Sequence, residues 1–166
     1  MASTLQTQTL SRWDHLFDGF QASSQEFYTR LEQAIASRQI PKAERMRIHW
    51  KEGGLLSAKR EYLRVQRQEF IFDVCAAPFG TGFFVSWWLG ELPGGCLTAL
   101  IDIPLLGFLL RAFVKPITYY KIDTALMFQQ TVHLSVLEVL DAMTTAKGVK
   151  ALTETERKPI MKNFFQ

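Results

Sequence analysis

The centre of this chain carries two apolar runs separated only by Gly90-Glu91-Leu92-Pro93-Gly94-Gly95. The first, FIFDVCAAPFGTGFFVSWWL, extends from Phe70 to Leu89. The second, CLTALIDIPLLGFLLRAFV, extends from Cys96 to Val114. Drawn as helices they would measure about 30 Å and about 28 Å at roughly 1.5 Å per residue. That matches the hydrocarbon thickness of a bilayer, about 30 Å. Two such runs joined by a Pro-Gly-Gly turn predict a membrane hairpin, and with it a mainly α membrane protein.

Charge is distributed unevenly around this centre. From Arg38 to Arg67 there are nine basic residues (Arg38, Lys42, Arg45, Arg47, Lys51, Lys59, Arg60, Arg64 and Arg67) against three glutamates. Arg111, Lys115 and Lys121 mark the other end, whereas the connecting turn has Glu91 and no Lys or Arg. The positive-inside rule then puts both termini on the cytoplasmic face of an integral membrane protein. The opening MASTLQTQTL is polar and lacks the pattern of a cleavable signal. Residue 2 is Ala rather than the Gly of a myristoylation site. The expected anchor is therefore internal and retained.

The flanks read as amphipathic helices. Trp13, Leu16, Phe17, Phe20, Phe27, Leu31 and Ile35 recur at mostly helical spacings, predicting one helix from about Ser11 to Ser37 or two that meet near Ala22-Ser23-Ser24. Ser23 and Glu26 have capping-box spacing. After Pro116, Ile122, Leu126, Val132, Val136, Leu137, Leu140 and Met143 line one face of a long helix that should end near Gly148. The β-branched and aromatic content between them predicts a short β-hairpin at about 45–51 and 61–72, with a helix from Leu55 to Gln68 as the alternative. The organisation expected is an N-terminal amphipathic and basic region (1–69), a hairpin (70–114), and a C-terminal amphipathic helix with its tail (115–166).

Asp73, Asp102, Pro78 and Pro104 interrupt the apolar runs. A charged residue at the centre of a spanning helix costs about 2.5–3.5 kcal/mol, so each carboxylate needs an account. In an antiparallel hairpin, Asp73 falls level with Lys115 and within reach of Arg111, predicting a structural ion pair. Asp102 remains a candidate intramembrane functional carboxylate, or else one capped by neighbouring hydrogen bonds. The prolines also admit a re-entrant hairpin that enters one leaflet and returns. The two cysteines, Cys75 and Cys96, would lie near opposite faces, too far apart for a disulfide.

Nothing in the residue pattern carries a defined chemistry. Gly80-Thr81-Gly82 lacks the spacing and the Lys-Ser/Thr of a phosphate loop and suits close helix approach instead. His15, His49 and His133 have no partner at metal-ligand spacing, and no serine sits in a nucleophile elbow. No catalytic residue, metal ligand or cofactor is expected, and an enzyme ranks last. Arg45, Arg47, Lys51, Lys59, Arg60, Arg64 and Arg67 are candidate contacts for anionic lipid headgroups, at about 1 kcal/mol per well-placed residue. A net charge of +3 is too small to argue for nucleic acid. The leading expectation is a small membrane-anchored interaction protein that assembles partners, or copies of itself, on the cytoplasmic face. The alternatives are an oligomeric pore or transporter subunit with Asp102 lining the path, and a soluble interaction domain with a very apolar core.

Overall fold

A computed structural model describes residues 7–51, 59–92 and 118–162. Its elements are β1 (Gln8–Phe17), α1 (Ser24–Ser37), β2 (Ala43–Lys51), β3 (Lys59–Arg67), β4 (Phe70–Phe79), β5 (Gly82–Glu91), α2 (Tyr119–Thr145) and β6 (Ile160–Met161). The strands form one antiparallel sheet in the order β2-β3-β4-β5-β1-β6. Both helices pack on the same face of it.

This architecture overturns the mainly α membrane fold. The run Phe70–Leu89 is two strands, β4 and β5, paired from Phe70↔Glu91 to Phe79↔Gly82. Gly80 takes a φ of +58°, a conformation open to glycine and strained for most residues, at the first position of a two-residue reversal. Gly80-Thr81 is therefore a hairpin turn rather than a small-residue helix contact. An apolar run reads the same for a buried strand pair as for a buried helix, and only the turn inside it tells them apart. No helix among the described residues is long and apolar enough to cross a membrane. The expected helical hairpin and the localisation as an integral membrane protein with cytoplasmic termini fall with its first span. The second run, Cys96–Val114, lies outside the described residues, as do Asp102, Arg111 and Lys115.

Alternation within β4 and β5 builds the core. Phe70, Phe72, Val74 and Ala76 face the helices, as do Phe83, Val85, Trp87 and Leu89, and all are buried. Against them α1 sets Phe27, Leu31 and Ile35, while α2 sets Phe128, Val132, Val136, Leu140 and Met143. The rings interlock, with Phe72 4.6 Å from Trp87 and 6.2 Å from Phe128 between centroids. At about 1.5–3 kcal/mol for each fully buried large side chain, this layer supplies the main drive to fold.

The N-terminal stripe divides between a strand and a helix. In β1, Trp13 and Phe17 turn inward and Arg12, Asp14 and Leu16 outward, a period of two that the mixed spacings hide. Only from Ser24 does the helix begin, capped as its sequence predicts by Ser23, whose hydroxyl accepts from the Glu26 N–H at 3.4 Å. The expected hairpin at 45–72 is also partly redrawn. Strand β2 pairs with β3 from Ala43↔Arg67 to Lys51↔Lys59, and Phe70–Phe72 opens the next strand after a turn at Gln68-Glu69.

One α1 side chain ties the two layers together. The β3–β4 register runs from Arg67↔Phe70 as far as Leu63↔Val74. Beyond it the Tyr28 hydroxyl accepts from the Ala76 N–H at 2.9 Å and donates to the Glu61 carbonyl at 2.8 Å. It bridges the strands where their ladder stops, and burial pushes its pKa upward, holding the phenol neutral. Removing the hydroxyl leaves two backbone groups without this partner. Tyr28→Phe is expected to destabilise the fold by about 1–3 kcal/mol, read as a lower urea midpoint at unchanged m-value; a loss under about 0.5 kcal/mol would contradict this role.

Candidate interaction surface

The sheet face away from the helices carries a ladder of arginines and aromatic rings. Arg64 and Asp73 sit opposite each other on β3 and β4 and form a two-pronged pair, Nε to Oδ1 at 2.7 Å and Nη2 to Oδ2 at 2.7 Å. The same guanidinium lies 5.7 Å from the Trp50 ring of β2. On the other side Asp73 is opposite Trp88 of β5, which in turn is opposite Arg12 of β1. The Arg12 guanidinium stands 5.6 Å from the Trp88 ring. Trp87 and Trp88 thus serve opposite faces, one wholly buried and the other 41% exposed, as strand alternation requires. Asp73 is paired with Arg64; Arg111 and Lys115, its expected partners, lie outside the described residues.

Among the described residues, strand β2 forms one edge of this sheet. Its residues alternate strictly: Glu44, Met46, Ile48 and Trp50 project to the open face, and Arg45, Arg47 and His49 to the helix side, set by their registers with Arg64 and Leu63. Arg47 is anchored inward. Its Nε and Nη2 donate to the Glu32 carboxylate at 2.8 and 3.1 Å, Glu61 lies 3.4 Å away, and the guanidinium stacks on Tyr28 at 4.8 Å. The Glu32 hydrogen bonds raise its pKa further, so this cation is permanent. Arg45 and His49 remain exposed, with Arg45 donating one hydrogen bond to the Glu32 carbonyl. A depression of about 130 Å³ lined by Ile35, Ala36, Gln39, Ile40, Ala43 and Arg45 adjoins the start of the strand.

The seven basic residues singled out in the sequence therefore do not converge. Arg47 is held by Glu32 and Glu61, Arg64 by Asp73, and Arg67 donates through Nε to the Pro41 carbonyl at 3.1 Å. Arg60 is exposed near Tyr62 and the buried Cys75 on the outer face, and Lys51 and Lys59 occupy opposed positions at the end of the β2–β3 pair. Carboxylates that consume Arg47 and Arg64 come from α1, β3 and β4. Their proximity depends on the register, so the linear sequence could not reveal it.

The opposite edge is closed by the C-terminal segment. Residues Ile160 and Met161 pair with β1, the Lys162 N–H donates to the Leu10 carbonyl at 3.0 Å, and Trp13 Nε1 donates to the Glu156 carbonyl at 2.6 Å. Arg157 clamps the segment to α2 by a two-pronged contact with Asp141 at 2.9 and 2.7 Å. Beneath it lies His133, which sequence spacing marks only as an ordinary helix-face residue. Its Nδ1 accepts from the Trp87 indole N–H at 3.0 Å, and its Nε2 is 2.7 Å from the Arg157 carbonyl. An indole N–H only donates, so Nδ1 carries the lone pair and Nε2 the proton. The ring's partners are all taken by the fold.

Comparison with known proteins adds little. No protein-family model matches the chain, and no curated protein matches it. Among solved structures it is similar to the crystal structure of TTHA0849 from Thermus thermophilus, with 18% identity, coverage of 82% of this chain and 97% of that one, and a TM-score of 0.30. At that identity and TM-score the likeness contributes nothing to the assignment.

Burial lowers the pKa of His133, the Arg157 charge acts in the same direction, and the hydrogen bond to the Arg157 carbonyl opposes them. Because the folded pKa lies below the unfolded value of about 6.5, the unfolded chain binds the proton first. Stability contributed by this ring is present above about pH 6.5 and is lost as pH falls toward the folded pKa. The urea midpoint is expected to drop between pH 7.5 and 5.5, with His133 contributing a slope of no more than about 1.4 kcal/mol per pH unit. His133→Gln should be less stable at pH 7.5 and flatter across that range; an equal slope in the variant would exclude His133 as the source.

Proposed function

We propose that this chain is a protein-interaction domain, a sheet-and-helix body with a very apolar core that holds an extended segment of a partner protein along β2. The observation that carries this reading is the contrast between the two edges of the sheet. Strand β2 is nine residues long, contains no proline, runs without a bulge against β3, and has no strand beyond it among the described residues. Edge strands left in that form are templates for pairing with another chain, and proteins usually shorten, kink or cover them. The other edge is covered by β6 and the C-terminal segment.

The side chains along β2 support binding rather than mere exposure. Met46 and Trp50 are 39% and 44% exposed, and with the half-buried Ile48 they give an apolar row at strand spacing. Trp88 continues it across the ladder. Large side chains of this kind, partly fixed by neighbouring arginines, are what interface centres are built from.

Panning a random peptide display library on the immobilised chain tests the reading. Enriched peptides are expected to bind the triple variant Met46→Ser/Ile48→Ser/Trp50→Ser at least about tenfold more weakly, a difference of about 1.4 kcal/mol. Circular dichroism would establish that the variant keeps its fold. Failure to enrich any peptide on the native chain over the folded variant would overturn the proposal.

A further inference from the structure

From the two sides of β2 we infer the chemistry of the segment it takes: an extended peptide that adds as a strand and alternates apolar with acidic residues. This deepens the proposed interaction reading and rests on it. Residues of an added strand fall beside those of β2, alternating between the same two faces. On the open face they meet Met46, Ile48 and Trp50, so apolar side chains fit there. On the helix side they meet Arg45 and His49, with Arg47 between them already held by Glu32 and Glu61, so carboxylates fit at the positions beside Arg45 and His49.

The exposed Arg45 favours an acid at the start of that edge. Glu32 and Glu61 are already turned toward Arg47. Arg45 is exposed and its hydrogen bond is to a backbone carbonyl, so that bond leaves its positive charge uncompensated. His49 is exposed four positions on. The depression bounded by Ala43 and Arg45 gives one end of an added strand a place for a side chain. The same row argues against a second copy of the chain as the occupant. Two β2 edges paired with each other would bring basic rows together, and like charges on neighbouring strands repel.

The test uses the whole chain and three fluorescein-labelled nonapeptides: one alternating Glu with Ile, one alternating Lys with Ile, and one with the Glu and Ile in separate blocks. Fluorescence anisotropy should show the alternating Glu peptide binding at least about tenfold more tightly than either control, with affinity falling as salt is raised. Arg45→Glu/His49→Glu, which replaces exposed side chains, should reverse the preference toward the Lys peptide. Amide hydrogen exchange should slow in β2 on binding and leave the strands at the sheet centre unchanged. Equal binding of the alternating and block peptides, or unaltered exchange in β2, would overturn strand addition. So would a doubled mass by light scattering with β2 protected in the absence of peptide, which would identify a second copy as the occupant. Library peptides that bind through Met46, Ile48 and Trp50 but lack the alternation would sink this inference and leave the interaction reading standing. A library that enriches nothing would remove both.

Discussion

The reversal at Gly80-Thr81 is the constraint from which the sheet follows. With Gly80 at a φ of +58°, the chain folds Phe79 back onto Gly82 and pairs β4 with β5 along their whole length. These strands are the middle of the sheet: β3 adds to one side and β1 to the other. Their inward residues form the surface that α1 and α2 cover, and their outward residues Asp73 and Trp88 anchor the ladder on the open face. Gly82 is also tightly placed, since a Cβ there would come 2.8 Å from the Phe17 carbonyl oxygen of β1. Close approach of three strands at this corner therefore needs both glycines, one for its backbone angle and one for its missing side chain.

The two edges of the sheet are treated by different physics. At β1 the C-terminal segment supplies backbone pairing, a clamp between Arg157 and Asp141, and carbonyls that receive Trp13 and His133. At β2 protection comes from charge and from α1, through the contacts of Arg47 with Glu32 and Tyr28. A charged edge resists pairing with copies of itself.

Several local features are legible in the residue pattern. Ser23 caps a helix because its spacing to Glu26 matches the geometry of a helix start. The long helix after Pro116 follows from Val132, Val136, Leu140 and Met143 at threes and fours. Strand content around 45–51 follows from Arg47-Ile48-His49-Trp50, alternating apolar with basic. The apolar run at 70–89 misleads because a strand pair buried on its inner face, with large side chains on its outer face as well, is as apolar as a spanning helix. Asp73 then draws a partner from a hairpin geometry that its own segment does not adopt. Its partner among the described residues, Arg64, is nine positions earlier in the chain and directly across one strand pair.

The sequence by itself determined where apolar matter concentrates, where helices start, and that an excess of cations precedes the apolar centre. Each of these depends on neighbours within a few residues, so each is written locally. Tertiary structure alone decided which cations are paired, because Glu32, Glu61 and Asp73 reach Arg47 and Arg64 only through strand register and helix packing. It also decided that His133 lies buried between Trp87 and the Arg157 carbonyl, and that one edge is covered by β6 while no strand lies beyond the other among the described residues. Those outcomes depend on contacts between segments far apart in the chain, whose distances no local spacing encodes.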